Sequence, residues 1–228
     1  ETLIEDPDLP KSLRQPALEM GQQAGRMLAV IEDLLTLSRL ETAEREAPRE
    51  PVDVAGMLSL IRKDALSRRD RPQTVELELE CASGLLGAEP DLYSVFVNLV
   101  SNALKYTPAE GRVDIRWWCD EQGAHLAVED TGIGIPEDAI PRLTERFYRV
   151  DKGRERSSGG TGLGLAIVKH ALQRHGATLE VSSRPGVGSR FVCHFPKNRL
   201  APECPAEALD DTAETRKDDN VLPFRNTS

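Results

Sequence analysis

The chain has 228 residues, 39% of them hydrophobic, and a formal net charge of -9. That suffices for one sizeable core with polar flanks, and the acidic balance excludes non-specific nucleic-acid binding, which needs a basic face to release counterions. No apolar run approaches the ~20 residues that span a bilayer, no signal peptide opens the chain, and Cys81, Cys119, Cys193 and Cys204 form no CxxC pair, which excludes a zinc knuckle or redox motif and suits a reducing cytoplasm.

Glu1–Glu5 reads as the tail of a helix and Asp6–Pro10 as a turn. From Leu13 an apolar seam follows (Leu13, Ala17, Met20, Ala24, Met27, Ile31, Leu34), its spacing alternating four and three, as in a helix packed on others. Leu28 and Leu35 widen the seam to bundle width, and the pattern reaches about Leu40. Pro16 must lie in the first turn or mark a kink, so the helix is expected to begin near Gln15. Ala43–Glu50 is a charged, proline-containing linker.

Val54–Ser67 has helical spacing, whereas Val75–Glu80 alternates strictly and predicts a half-buried strand. A helix is expected over Leu92–Tyr106, opened by Pro90-Asp91 and ended by Pro108. Val113–Trp118 and His125–Glu129 read as strands joined by an Asp120–Gly123 hairpin. Leu163–His175 is a helix closed by Gly176, and strands at Leu179–Val181 and Arg190–Phe195 flank a Gly186–Gly188 turn. Ala201–Ser228, rich in Asp, Glu, Pro and Thr, is expected to be disordered.

Four segments carry chemistry. Asn98 and Asn102 stand four apart and share a helix face. Their amide oxygens suit Mg²⁺, Lys105 could meet phosphates and Tyr106 offers a flat face to a base, though taken alone two such amides are better read as plain surface groups. Asp130–Ile135 follows a strand: Asp130 could accept a hydrogen bond from an adenine amino group, and Gly132 and Gly134 let backbone approach a ligand, or the segment is a capped turn. Arg142–Asp151 holds Phe147 and Tyr148, an aromatic pair that core packing could explain, and core is the better reading for Phe147. In Gly159–Val168 a glycine-rich loop enters a helix, which makes an anion site of free N–H groups and the positive end of the helix dipole. It is neither a Rossmann fingerprint nor a P-loop.

In this order the segments resemble the sensor histidine kinase family, whose fold is shared with gyrase, a heat-shock chaperone ATPase and MutL. Asn98–Thr107 is similar to the family's N box, Asp130–Ile135 to its first glycine box, Arg142–Asp151 to its F box and Gly160–Leu165 to its second glycine box. Thr144–Lys152 and Gly162–His170 resemble the phosphate-regulon sensor kinases. The resemblance covers about Pro51–Pro196 and implies an α+β fold, a two-layer α/β sandwich with a mixed sheet covered by helices on one face, preceded by a truncated helical hairpin. It divides the chain into a hairpin remnant at 1–47, an ATP-binding catalytic domain at 48–198 and an acidic tail at 199–228.

The resemblance also implies roles. Asn102, helped by Asn98, would hold Mg²⁺; Lys105 would meet the phosphates of ATP; Tyr106 would lie along the adenine; Asp130 would read its amino group. Gly132 and Gly134 would shape the pocket floor. Gly160, Thr161, Gly162, Leu163 and Gly164 would carry the phosphates, Arg149 would stabilise the transferring phosphoryl group, and Lys152–Ser158 would be a lid. The family's acceptor box, His-Glu/Asp-x-x-Thr-Pro, is matched by none of His125, His170, His175 and His194, so the chain is expected to be cut just past the acceptor and not to phosphorylate itself. The implied partners are a response-regulator receiver domain and, through the hairpin, a second copy in a full-length parent, with weak or no dimerisation here. The segment is expected in the cytoplasm without membrane contact, its parent anchored in the inner membrane. Two other readings are a conformational ATPase of the wider group and a non-catalytic adaptor; the F box and the hairpin helix argue against the first, and the intact Asn102, Lys105, Asp130 and glycine boxes against the second.

Overall fold

The structure is a computed structural model that describes residues 11–43, 46–68, 71–150 and 160–203. The expected helix tail at Glu1–Glu5, the turn at Asp6–Pro10 and the lid at Lys152–Ser158 lie outside the described residues.

Helix α1 (Lys11–Thr42) carries the predicted seam. It begins before Gln15, and Pro16 is inside it, a correction to the expected start; in the second turn the proline forfeits one backbone bond without ending the helix. Most of the seam is exposed, Met20 at 73% and Met27 at 66%, but the last turns insert Leu37 and Leu40 into the main core at 2% and 4%. Strand β1 (Glu50–Val52) and helix α2 (Val54–Ser67) follow. Asp53 caps α2, accepting from the Gly56 N–H at 2.9 Å. Val54, Met57, Leu58, Ile61 and Ala65, spaced by three and four, form its buried face.

Strands β2 (Thr74–Leu79) and β3 (Ser83–Gly87) lead into helix α3 (Glu89–Tyr106), which has Pro90 in its first turn and acidic Glu89 and Asp91 at its positive end. Strands β4 (Arg112–Cys119) and β5 (Gly123–Asp130) make the expected hairpin. After a 3₁₀ turn at Glu137–Arg142 come helix α4 (Gly164–Arg174), strands β6 (Thr178–Arg184) and β7 (Gly188–Pro196), a 3₁₀ turn at Lys197–Arg199 and strand β8 (Leu200–Glu203).

The main sheet runs β2-β4-β5-β7-β6, with β2 parallel to β4 and every other pair antiparallel. Its inner face (Ile115, Trp117, Leu126, Val128, Cys193, Phe195) packs on α2, α3 and α4. Phe195 sits edge-on to Phe96 of α3, with ring centroids 6.3 Å apart, and to Trp117. On the outer face Glu76, Glu78 and Glu80 of the β2 edge pair with Arg112 and Arg116 of β4, and Arg62 of α2 donates to the Val75 carbonyl of that edge strand at 3.1 Å.

Three findings differ from the sequence reading. A second sheet, β1-β3-β8, lies where no strand was expected at β1, β3 or β8. The disorder expected from Ala201 therefore does not hold through Glu203, because β8 pairs with β3 and the buried Arg199 guanidinium donates to the carbonyls of Ala47, Pro48 and Leu86; the rest of that segment lies outside the described residues. Cys81 and Cys119 are joined by a disulfide, with Cα atoms 5.6 Å apart, so they are not scattered thiols. The parallel β2–β4 register causes this, bringing the chain after β2 beside the end of β4, where the Glu80 N–H meets the Trp117 carbonyl at 2.8 Å. No helix among the described residues is long and apolar enough to cross a membrane.

Candidate nucleotide site

The site is assembled where the ends of α3, β5 and α4 meet. α3 presents Asn98, Asn102 and Lys105 on one face, the spacing of three and four placing them above one another. Asn98 donates to the Ser94 carbonyl at 2.7 Å, which turns its Oδ1 toward the start of α4. A Cβ at Gly164 would meet that oxygen, so glycine lets Asn98 keep this orientation where α4 begins beside α3.

Lys105 Nζ lies 4.8 Å from the centre of the Tyr106 ring and close against Gly160, where any Cβ would strike it. Arg149 donates to the Gly160 carbonyl at 3.3 Å. Two cations thus converge on the loop that enters α4. The turn is tightened by Gly162, at φ +75°, whose carbonyl accepts from the Phe147 N–H at 2.9 Å. Phe147 itself holds φ +61°, the one non-glycine residue in the left-handed region among those described, and its ring is exposed. Thr161 Oγ1 accepts from the Leu163 N–H at 3.1 Å and donates to Asp33 of α1 at 2.5 Å.

At the end of β5, buried Asp130 accepts from the Gly132 N–H at 2.8 Å. Burial holds its carboxyl above the usual carboxylate range, and N–H donors from Gly132 and Ser189 partly oppose that. A Cβ at Gly132 would clash with the Tyr106 carbonyl and Asp130 Oδ1 together, so this glycine joins the end of α3 to the end of β5. Gly134, at φ +68°, packs instead on the Arg184 backbone of the β6–β7 turn, away from the asparagine face. Asn102 is half-buried between Asn98 and Lys105 on α3.

Asp33 and Asp91 were not among the sequence candidates. Asp91, 2% exposed, pairs with Arg39 of α1 at 3.0 Å and with Arg174 of α4. Nothing local marks either aspartate, since their partners lie 52 to 128 residues away in sequence. The arrangement fits a nucleotide: Lys105 and Asn98 reach their polar ends to Gly160 and Gly164 of the loop that enters α4, Arg149 binds the same loop, and a buried acceptor, Asp130, stands at the end of β5. Neutral amide oxygens beside phosphates also fit Mg²⁺, which keeps waters and shares phosphate oxygens; no group of three His, Cys, Asp or Glu among the described residues offers a metal cage.

Residues 87–199 match the family model of histidine kinase-, DNA gyrase B- and HSP90-like ATPases. Fold and site therefore define a nucleotide-binding domain of that class. The chain belongs, more narrowly, to the sensor histidine kinases. It is 54% identical over 184 residues to the phosphate regulon sensor protein PhoR of Pseudomonas aeruginosa, covering 80% of this chain and 42% of that protein. It is 30% identical to the solved mycobacterial sensor histidine kinase MprB, with a TM-score of 0.53, covering 65% of this chain and 97% of that one. Full-length ShkA, solved in complex with AMPPNP, aligns with a TM-score of 0.66 at 26% identity over 89% of this chain and 42% of ShkA. The chain thus spans less than half the length of PhoR and of ShkA.

Proposed function

We propose that this chain is the ATP-binding catalytic part of a phosphate-regulon-type sensor kinase, delivering the γ-phosphoryl group of ATP to a histidine and from there to a response-regulator aspartate. One observation carries this reading: Asn98, Lys105, Arg149 and the N-terminus of α4 converge on a single glycine loop. Asp130 accepts from the adenine amino group, and Tyr106 lies along the ring. Lys105, Arg149 and the amides of Gly160, Thr161, Gly162 and Gly164 hold the phosphates, Leu163 stiffens the loop by turning its amide onto Thr161, and Gly132 shapes the floor, which Gly134 braces from the Arg184 side. Asn98 and Asn102 would hold Mg²⁺, which would supply positive charge against the phosphates. Phosphoryl transfer asks the protein mainly for positioning and charge compensation, and these groups supply both.

The acceptor is none of the four histidines. His125 and His175 are buried at 3% and 1%, while His170 and His194 stand beside Glu41 and Glu180. We assign residues 1–47 to the dimerisation hairpin and 48–198 to the catalytic domain, which Arg199 and strand β8 join by packing back on β3, and the remainder to a tail, in a parent anchored at the inner membrane. Calorimetry with ATP and ADP, with and without Mg²⁺, tests the reading. Micromolar-to-millimolar, Mg²⁺-enhanced binding is expected, with no acid-labile label on the chain after incubation with γ-labelled ATP. No binding at millimolar nucleotide sinks it.

A further inference from the structure

On the outer face of the main sheet, at the end remote from the nucleotide site, two histidines face each other across β5 and β7. His125 and His194 are register partners, and their Nδ1 atoms are 2.8 Å apart. Each ring turns its other nitrogen toward a carboxylate: His125 Nε2 lies 3.0 Å from Asp120 Oδ1, and His194 Nε2 lies 3.3 Å from Glu180 Oε2. Trp118 stacks on His125, ring centroids 5.0 Å apart, and closes the site from β4.

Two neutral imidazoles cannot satisfy this arrangement. Each has a single N–H. If one ring donates its Nδ1–H to the other, it has no proton left for its own carboxylate, and a bare lone pair then faces a carboxylate oxygen. His125 is the more confined ring, 3% exposed, with its Nε2 3.0 Å from Asp120 but poorly aligned for a hydrogen bond while the two rings stand in contact. One cation between the rings, a proton or a metal ion, removes the conflict, and a metal ion does so by binding both Nδ1 lone pairs while both Nε2–H groups donate outward. A histidine ligand with a carboxylate on its other nitrogen is the usual second layer of a metal site.

We propose that His125 and His194 bind a borderline divalent transition-metal ion of the Zn²⁺, Ni²⁺ or Cu²⁺ class through their Nδ1 atoms, with Asp120 and Glu180 orienting the rings. Imidazole selects these ions over Mg²⁺ and Ca²⁺, which prefer oxygen. Metal–nitrogen bonds of ~2.0–2.1 Å set two tetrahedral ligands roughly 3.3 Å apart. The rings must therefore part slightly, and His194, its side chain 35% exposed, has room to move. No third His, Cys, Asp or Glu converges there among the described residues, so water completes the coordination. His125 is five residues from Asp130 along β5, roughly 17 Å at strand rise, so this site is separate from the nucleotide pocket and does not rest on the reading given to that pocket.

The test uses the whole chain, stripped of metal and kept free of thiol reductant. Calorimetry with ZnCl₂ should show one ion per chain. Cu²⁺ electron paramagnetic resonance should show coupling to two nitrogens. His194→Gln should weaken Zn²⁺ binding by more than about tenfold, and Glu180→Gln by about tenfold. ATP binding should be unchanged in both variants, and His170→Gln should leave Zn²⁺ binding intact. Absence of stoichiometric uptake, or wild-type affinity in His194→Gln, overturns the proposal.

Discussion

Two buried titratable residues are set by their surroundings in ways that separate stability from function. Asp130 keeps a carboxyl under cover at the end of β5, and burial raises its proton affinity. A carboxyl whose folded value lies above its unfolded one favours the fold at low pH and disfavours it once ionised. Asp130→Asn should therefore leave the nucleotide-free domain as stable as wild type or more so near neutral pH, while weakening ATP binding by roughly tenfold or more. Thermal melts and calorimetry on one preparation check both halves. His175, 1% exposed, accepts from the Ala88 N–H at 3.1 Å and faces the Ala171 carbonyl at 2.7 Å, so it is held neutral and its proton affinity is lowered, first by burial. Its contribution to stability is present above the unfolded histidine value of about 6.5 and is lost as pH falls below that toward the lowered folded value. Melting temperature should drop as pH falls below about 6.5. His175→Gln should be less stable at neutral pH and show a shallower acid slope. Gly87 depends on the same ring, since a Cβ there would lie 2.6 Å from His175 Nε2.

Among elements, the disulfide from the end of β2 to the end of β4 ties together residues 38 apart. On a chain-entropy reckoning such a closure is worth about 4 kcal/mol, so a reductant should lower the melting temperature by several degrees. Cys119→Ser should melt at the lower temperature with or without reductant. Sequence made some elements plain and hid others for identifiable reasons. α2 announces itself through its three-four spacing, and β5 through the hairpin before it. β1 and β8 have only 3 and 4 residues, with Pro51 and Pro202 inside them, and β3 includes two glycines. Such segments carry no periodicity and become strands only when β3 gathers them from far apart. The nucleotide site was legible because its donors sit in local clusters, Asn98 to Tyr106 and Gly160 to Gly164. Asp33, Asp91 and the Cys81–Cys119 pairing were not, because each exists only through contacts made after folding.

For the molecule as a whole, α1 divides its surface between two tasks. Its final turns hold to the catalytic body through Leu37, Leu40, the Asp33–Thr161 hydrogen bond and the Arg146–Glu41 pair, while Met20, Met27, Leu28, Ile31, Leu34 and Leu35 remain exposed. Each such side chain is worth roughly 1.5–3 kcal/mol when covered, which offsets association entropy only modestly. Sedimentation across a concentration series should show monomer when dilute and a weak dimer when concentrated; a tight dimer at nanomolar protein would show that this one helix suffices. The β2 edge has the opposite character. An open strand is a template on which a foreign chain can lay its own backbone, and a sheet with such a margin tends to grow into fibrils. Here the margin is guarded: Glu76, Glu78 and Glu80 stand along it in ion pairs with Arg112 and Arg116, and the Arg62 guanidinium occupies the Val75 carbonyl. A newcomer would have to break those pairs and bury their charges, so the row of glutamates that the sequence displays as simple alternation also keeps this sheet from recruiting its neighbours.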